Sequence, residues 1–214
     1  MQEDVCASHT VRLHRGRLEA FGANKFGQLC TPSALATEHV IVSAEDSVAF
    51  AAGGAASSGH TLFATGRGVF SCGCDRWQQL GLSKAGGAAG YTWEAGATSQ
   101  REPRRLPFFD GQHVVDLAAG DDHSVALLAS GEVFSWGRGH CGQLGRPRQF
   151  VSTPALATDF SEGNAKAIAA AGNCTCAYLE TRAGGYPVCA GRCSAVEAEL
   201  HKALHAKVNR VTVR

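Results

Sequence analysis

One short pattern recurs along the chain, and this repetition restricts the possible folds more than any other feature does. The clearest copies are residues 16–29 (GRLEAFGANKFGQL), 67–81 (RGVFSCGCDRWQQLG) and 131–145 (GEVFSWGRGHCGQLG). Each copy is an apolar run that ends at a glycine, separated by four residues from Gly-Gln-Leu or Gln-Gln-Leu. The aligned glycines are Gly22, Gly73, Gly137 and, in a shorter fourth copy, Gly191. Repetition at an interval of about 50 residues or more indicates a fold built from repeated supersecondary units.

A histidine followed by a hydroxyl residue stands upstream of three of these copies. The pairs are His9-Thr10, His60-Thr61 and His123-Ser124, and we expect Thr175 at the histidine position of the fourth unit. A catalytic histidine needs one specific partner, whereas these residues repeat, and no Ser/His/Asp or Cys/His set accompanies them. We therefore interpret the three histidines as structural, with a ring nitrogen satisfying a backbone group in each unit.

The units themselves have the pattern of small antiparallel sheets. Alternating segments such as SVALLAS and EVFSW, joined by a tight turn at 129–132, predict paired strands. One such sheet cannot bury both faces alone, but sheets arranged around a common axis cover one another. The sequence therefore predicts an all-β fold, a partial or open β-propeller of about four four-stranded blades. The predicted units are residues 1–37, 38–112, 113–164 and 165–193, with insertions at 49–58 and 83–105. In the second unit, either SVAFAA or HTLFATG supplies the second strand.

The third copy also contains a G-x-G-x-x-G sequence, at Gly137, Gly139 and Gly142. In a dinucleotide-binding fold these glycines would follow a strand and open a helix. Here prolines at 147 and 154 follow, and the other copies lose the pattern. We therefore interpret these glycines as turn residues of the repeat, and we expect no nucleotide or other cofactor.

The third unit resembles the repeat of the regulator of chromosome condensation family, in which G-x-x-H-[ST] precedes G-x-[VL]-[FY]-x-W-G and G-Q-L-G. The matching residues are Gly120, His123, Ser124, Gly131, Val133, Phe134, Trp136, Gly137, Gly142, Gln143, Leu144 and Gly145. The first two units carry Phe21 and Cys72 in place of Trp136, and the fourth matches only to Gly191. The resemblance implies a propeller of four-stranded blades. Because family propellers have seven blades, the chain would be part of a longer propeller, an open arc, or one part of a ring that a second chain completes.

The C-terminal region has the one helical pattern, at residues 194–207, where Ser194 and Glu197 form a capping box. His201 and His205 share a face with Glu197, but no further ligands are apparent, so we expect no metal site there. Residues 208–214 (VNRVTVR) predict a strand that begins a further blade or closes the ring.

Two groups of residues are candidates for binding a partner. The 83–105 insertion contributes aromatic and arginine residues, which are common in interfaces, and a pair of acids lies beside a repeat histidine. The candidates are Tyr91, Trp93, Arg101, Arg104, Arg105, Asp121 and Asp122.

Composition argues against several other classes of protein. Lys+Arg total 20 and Asp+Glu 19, so the chain lacks the basic field that drives nucleic-acid binding. No apolar run reaches the length of a membrane span, and the N-terminal residues resemble neither a signal nor a transit peptide. The nine cysteines include no C-x-x-C, so we expect buried free thiols in a cytoplasmic or nuclear protein rather than a zinc site.

These observations predict a non-enzymatic protein-interaction scaffold with a protein partner. The family resemblance implies guanine-nucleotide exchange on a small GTPase as the alternative, with the 83–105 loop as the inserting element. Exchange needs no catalytic residues, because it works by differential affinity for the two states of the GTPase. Chromatin binding is disfavoured by the balanced charge.

Overall fold

The structure, a computed structural model, describes residues 2–14, 17–32, 40–43, 47–55, 58–82, 99–147 and 150–212. These residues form four antiparallel sheets in chain order, followed by one α-helix. The first sheet comprises β1 (Gln2–Val5), β2 (His9–His14), β3 (Arg17–Gly22) and β4 (Val40–Ser43). The second comprises β5 (Ser47–Gly53), β6 (His60–Thr65), β7 (Gly68–Cys74) and β8 (Ser99–Arg105). The third comprises β9 (Val114–Ala119), β10 (His123–Leu128), β11 (Val133–Arg138) and β12 (Phe150–Leu156). The fourth comprises β13 (Asn164–Ala171), β14 (Cys174–Thr181) and β15 (Gly184–Gly191), and helix α1 is Glu197–Thr212.

The sheets pack face to face in the order of the chain. Strand β5 contacts β1 and β2 on one side and β9 on the other, and β9 in turn contacts β13. Both faces of an inner sheet are therefore covered, which explains why all six residues of β6 and of β10 are buried. The predicted side-by-side stacking of small sheets is confirmed, with three described strands rather than four in the last sheet.

Apolar side chains fill the space between each pair of neighbouring sheets. Val11 and Phe63 belong to the cluster between the first two sheets, while Leu117 and Trp136 belong to the next one. A third cluster, between the last two sheets, includes Ile168. Each core layer thus depends on two successive repeats.

Helix α1 covers the outer face of the fourth sheet. Leu200 and Leu204 pack against Ala169 and Cys176, and Val208 extends the same contact by one turn. This continued packing explains a correction to the sequence analysis: residues 208–212 belong to the helix and do not form the predicted strand. In the described part of the chain, no helix is long and apolar enough to span a membrane.

The structure also moves the predicted unit boundaries. Strand β4 pairs with β3, so the first unit includes residues 40–43 and the second begins at Ser47. The predicted insertion at 49–58 contains most of β5, and the one at 83–105 contains β8. The segments SVAFAA and HTLFATG are both strands, and they pair with each other.

The expectation of free thiols is wrong for six of the nine cysteines. The structure contains three disulfides, Cys30–Cys72, Cys174–Cys193 and Cys176–Cys189. Their partners lie 13 to 42 residues apart in sequence: one pair joins neighbouring strands, one joins neighbouring repeats, and one joins β14 to the segment before α1. Spacing along the chain therefore gave no indication of these contacts.

Candidate functional site

The loops after the first and third strands of every sheet lie at the same end, because adjacent strands run antiparallel. We call this end of the molecule the loop end. It holds residues 23–32, 75–82 and 139–147, which follow the third strands, and the short turns around Ser8 and Asp121. The residues of the repeat motifs make the loop-closing and sheet-linking contacts at this end.

The Gly-Gln-Leu and Gln-Gln-Leu triads close the loops that follow the third strands. In each loop the glutamine Oε1 accepts the backbone N–H two residues earlier, at 2.8 to 2.9 Å. The pairs are Phe26 with Gln28, Trp77 with Gln79, and Cys141 with Gln143. The next residue, a leucine, is fully buried in all three loops. The triad thus closes the loop. Gly142 of the G-x-G-x-x-G sequence belongs to this triad and is a turn residue with a positive φ, as expected.

The glycine before each of these loops is required by backbone geometry. Gly137 has a φ of +98°, and a Cβ there would lie 2.6 Å from the Asp122 carbonyl oxygen. Gly22, Gly73 and Gly191 also have positive φ values. Each of these glycines therefore occupies a backbone conformation that side-chain-bearing residues rarely adopt.

The repeat histidines link each sheet to the next one. Their Nε2 atoms lie 2.7 to 3.0 Å from a buried hydroxyl. The pairs are His9 with Thr61, His60 with Ser124, and His123 with Thr175. Thr61 and Ser124 donate their own protons to the carbonyl oxygens of Gln28 and Gln79, so the histidine Nε2 must be the donor to each hydroxyl. The Nε2 partner is therefore a hydroxyl of the next sheet and not the expected backbone group.

The histidine position of the fourth sheet is occupied by Cys174 and not by Thr175. Cys174 lies opposite Gly191, as His123 lies opposite Gly137, whereas Thr175 corresponds to Ser124. By strand register Ala171, and not Gly172, corresponds to Gly120, so an alignment on the glycine shifts the fourth copy by one residue.

Burial keeps these imidazoles neutral. It lowers the pKa of His9 and of His123 to about 4. The pKa of His60 falls to about 3, because burial is joined by repulsion from the other two histidines. With these pKa values each ring carries no charge at neutral pH and keeps one nitrogen unprotonated, which fits a buried structural role.

An acid replaces an amide in the loop after β7. Asn24 Oδ1 accepts the N–H of Leu29 at 3.0 Å, and at the equivalent position Asp75 Oδ1 accepts the N–H of Leu80 at 3.0 Å. Burial raises the pKa of Asp75 to about 6, against the lowering effect of that hydrogen bond. The buried carboxylate thus costs more free energy than the amide at the equivalent position of the first loop.

Asp75→Asn is therefore expected to stabilise the chain. The folded pKa of Asp75 lies above its ordinary value of 3.8, so the cost of its charge is present above pH 6 and declines as the pH falls towards 3.8. We expect a gain of about 1–3 kcal/mol at pH 8 and about half of that at pH 5, measured by urea unfolding. The matched variant Asn24→Asp should lose stability at pH 8. Equal stability of the wild type and Asp75→Asn at pH 8 would contradict the assigned burial cost.

A cluster of aromatic and charged side chains stands at the surface of the loop end. The Arg138 guanidinium lies 4.7 Å from the centroid of the Trp77 ring, and the His140 ring meets the same indole edge-on at 5.4 Å. Arg138 Nη1 also lies 3.2 Å from Asp122 Oδ2. We call Trp77, Arg138, His140 and Asp122 the Trp77 cluster. It bridges the second and third sheets and is held by contacts made before any partner arrives.

The structure separates the predicted binding residues. Asp122 belongs to the Trp77 cluster, and neighbouring Asp121 is partly exposed, with its pKa raised by burial and by the charge of Asp122. Arg101 donates to the Asn24 and Lys25 carbonyl oxygens, at 3.2 and 3.0 Å, and so joins the first two sheets.

The remaining candidates do not join the cluster. Arg104 and Arg105 are exposed at the far end of β8, and Arg105 pairs with Asp110 at 3.0 Å. Tyr91 and Trp93 lie outside the described residues. Sequence reasoning missed Trp77, Arg138 and His140, although each stands at a variable position between the invariant residues of a repeat, where side chains face solvent rather than core.

The helix histidines have different surroundings from each other. His201 Nε2 lies 3.4 Å from Cys189 Sγ and 3.8 Å from Glu197 Oε1, whereas the His205 ring packs on Tyr178 at 5.6 Å. The sequence showed no further metal ligand near Glu197 and His201, whereas the structure places Cys189 of β15 beside them.

Four-stranded antiparallel sheets, packed in chain order and linked by repeated loop contacts, are the blades of a β-propeller. The Regulator of chromosome condensation (RCC1) repeat model matches residues 68–127 and 130–178, and a second model of that repeat matches 114–143. The chain belongs to the regulator of chromosome condensation repeat family.

Curated relatives agree with this assignment, and a solved structure agrees with the propeller fold. The chain is 36% identical to Alsin of Rattus norvegicus over 89 residues, which cover 37% of this chain and 5% of Alsin. It is 29% identical to Protein RCC2 of Mus musculus over 198 residues, which cover 83% of this chain and 37% of RCC2. Prp20p of Saccharomyces cerevisiae, solved in work on its binding properties to Gsp1p and histones, has a TM-score of 0.68 at 19% identity. That match covers 87% of this chain and 44% of Prp20p, so the chain spans less than half of each of these proteins.

Proposed function

We propose that the chain is a non-enzymatic protein-interaction module whose contact surface is the Trp77 cluster at the loop end. The observation that carries this proposal is the contact of Arg138 and His140 with the Trp77 ring, which is partly exposed and spans two blades. Tryptophan and arginine dominate the energetics of protein interfaces when they sit in a well-packed surface cluster.

Preorganisation makes this cluster suited to binding. The salt bridge from Arg138 to Asp122 and the ring contact to Trp77 fix two side chains that would otherwise lose rotamer freedom on association. Each rotamer-rich side chain that is immobilised on binding costs about 0.5–1.5 kcal/mol, so a surface that is already ordered avoids part of this cost.

The surface has a mixed charge that favours a polar protein partner. Arg76 is exposed beside Trp77, and the carboxylate of Asp121 stands near Asp122 on the neighbouring turn. A partner that carries both an acidic group and an exposed apolar side chain would match this surface. A nucleic-acid backbone would meet Asp121 and Asp122 as well as the arginines.

The double variant Trp77→Ala/Arg138→Ala tests the proposal. The tagged chain is used as bait in cell extract, and bound proteins are quantified by mass spectrometry. We expect specific partners to be reduced by about tenfold to a hundredfold, as for the loss of hot-spot residues. Arg182→Ala/Tyr186→Ala, at the exposed hairpin on the opposite end of the fourth sheet, is the matched control. Equal recovery of all partners by the two variants would refute the assignment of this surface.

Guanine-nucleotide exchange on a small GTPase is the second candidate, because relatives with this repeat include a yeast protein described by its binding to Gsp1p. A nucleotide-release assay against a panel of small GTPases tests it, with acceleration expected at micromolar protein. The predicted 83–105 insertion is tested by deleting only residues between 83 and 98, because Ser99–Arg105 is strand β8. Release at the intrinsic rate for every GTPase in the panel would remove this candidate and leave the interaction module.

A further inference from the structure

Four cysteines from three segments of the chain converge beside helix α1. Cys174 and Cys176 lie on β14, Cys189 lies on β15, and Cys193 lies in the link to α1. Their Sγ atoms are all within 4.8 Å of one another, and three of the four residues are buried. The structure pairs them as the Cys174–Cys193 and Cys176–Cys189 disulfides.

Sheet geometry brings these sulfurs together despite their unusual spacing. Residues two apart on a strand share a face, so Cys174 and Cys176 point the same way. Cys189 lies directly opposite Cys176 in the register of β14 and β15. The spacing of a zinc knuckle places two ligands on one turn, whereas this arrangement uses a strand face and its neighbour, so a search for C-x-x-C misses it.

We propose that these four cysteines, when reduced, form a tetrahedral site for one Zn²⁺ ion. Four thiolates are a complete ligand set for structural zinc, and a Zn–S distance of about 2.3 Å sets neighbouring sulfurs about 3.8 Å apart. Cys174 Sγ and Cys176 Sγ, which belong to different disulfides, are already 3.7 Å apart. Reduction frees all four sulfurs as ligands within the same small volume.

The change between the two states is balanced in atoms and electrons. A dithiol reductant cleaves each S–S bond by thiol–disulfide exchange, so two reductant molecules become two cyclic disulfides and the chain gains four thiols. Zn²⁺ then replaces the four thiol protons, which are released to solvent as four Zn–S bonds form.

Neighbouring groups support the proposed site. His201 Nε2 lies 3.4 Å from Cys189 Sγ, and Glu197 Oε1 lies 3.8 Å from the same nitrogen. The Nε2–H of His201 is placed to donate a hydrogen bond to the Cys189 thiolate, with the Glu197 carboxylate near the same N–H, and such a contact orients ligands in metal sites.

The site would hold helix α1 in place under both redox conditions. Cys193 ties the start of the helix to β14, and Leu200 and Leu204 pack on the same cluster as Cys174 and Cys176. The disulfides provide this link when oxidised, and Zn²⁺ would provide it when they are reduced.

Metal retention by the full chain tests the proposal. The protein is reduced with dithiothreitol, freed of reductant anaerobically, mixed with Zn²⁺ and gel-filtered, and its zinc is then measured by mass spectrometry. We expect about one zinc ion per chain, protection of four of the nine thiols from a thiol reagent, and a thiolate-to-metal charge-transfer band when Co²⁺ replaces Zn²⁺.

Two double variants separate this site from adventitious binding. Cys174→Ser/Cys193→Ser should lower zinc retention at least about tenfold, while Cys30→Ser/Cys72→Ser, which removes the other disulfide, should retain the ion. Far-UV circular dichroism checks that each variant is folded, and Cys176→Ser replaces the first variant if that one is not. Retention below a tenth of an ion by the reduced wild type, or equal loss in both variants, would overturn the proposal.

Discussion

Between pH 7.5 and pH 5, three buried histidines are expected to remove about 6 kcal/mol of the stability of the folded chain, because they resist protonation. Their pKa values fall from an ordinary 6.5 to about 4, 3 and 4 for His9, His60 and His123. The unfolded chain binds protons below pH 6.5 while the folded chain does not. Stability is therefore complete above that pH and is lost progressively as the pH falls towards the folded values.

The size of this loss predicts acid unfolding. Each histidine lowers the free energy of unfolding by about 2 kcal/mol at pH 5 and by about 3 kcal/mol at pH 4, whereas the total stability of a protein is typically about 5–15 kcal/mol. Protonation of Asp75 offsets part of this loss over the same pH range, but Asp75 is a single group and its pKa shift is smaller. We expect cooperative unfolding between about pH 4 and pH 5.5, followed by circular dichroism and tryptophan fluorescence.

His60→Gln provides the sharpest check on this cause. A glutamine Nε2 is able to donate to Ser124 Oγ, as His60 does at 3.0 Å, and it has no proton to gain in acid. The variant should lose less stability than the wild type between pH 7.5 and 5, by about 2 kcal/mol. His113→Gln, at an exposed position, should leave the pH profile unchanged. An unchanged profile for His60→Gln would show that another group controls the acid transition.

The repeat made most of the fold predictable, because each copy carries the same local requirements. Four aligned glycines and three histidines identified the successive blades. The signal that was overlooked was Ala51-Ala52-Gly53 at the end of β5, which matches Ala118-Ala119-Gly120, where β9 ends at Ala119 and Gly120 follows. Had it been aligned, the second blade would have been predicted to begin near Ser47 rather than at residue 38.

Contacts between repeats were less predictable. Each contact depends on two residues from different repeats, whereas an alignment of the repeats compares one position at a time. Cys72 lies opposite Thr61 as Trp136 lies opposite Ser124, so cysteine replaces the repeat tryptophan in the second blade. Cys30 stands where the next loop has Gly81, the residue that lies against the Trp136 ring. A disulfide thus replaces a tryptophan–glycine contact, and only the three-dimensional pairing reveals that the two changes are linked.

Trp136→Ala is expected to lower the free energy of unfolding by about 3–5 kcal/mol, the cost of deleting a large buried aromatic side chain. The indole is fully buried between the second and third blades and lies 5.8 Å from the Phe109 ring. Its loss opens a cavity in the layer that joins these blades. A decrease in Tm of about 6–20 °C is expected by calorimetry, since 1 kcal/mol shifts Tm by about 2–4 °C at this size.

Trp136→Phe separates the packing of the ring from its hydrogen bond. Trp136 Nε1 donates to the Gln79 carbonyl oxygen at 2.8 Å, and Ser124 Oγ donates to the same oxygen at 2.7 Å. Phenylalanine removes one of these two donors, so the carbonyl remains satisfied and the hydrogen-bond loss should be only about 1 kcal/mol.

Trp77→Ala, at a partly exposed tryptophan, is the matched control for the cost of removing an indole. Trp77→Ala should lower the free energy of unfolding clearly less than Trp136→Ala does, because folding buries less of the apolar surface of Trp77. Since neighbouring blades stabilise each other through shared core layers, the loss at Trp136 should also weaken cooperativity between the second and third blades. Equal Tm values for Trp136→Ala and Trp77→Ala would mean that the layer around Trp136 does not couple the blades.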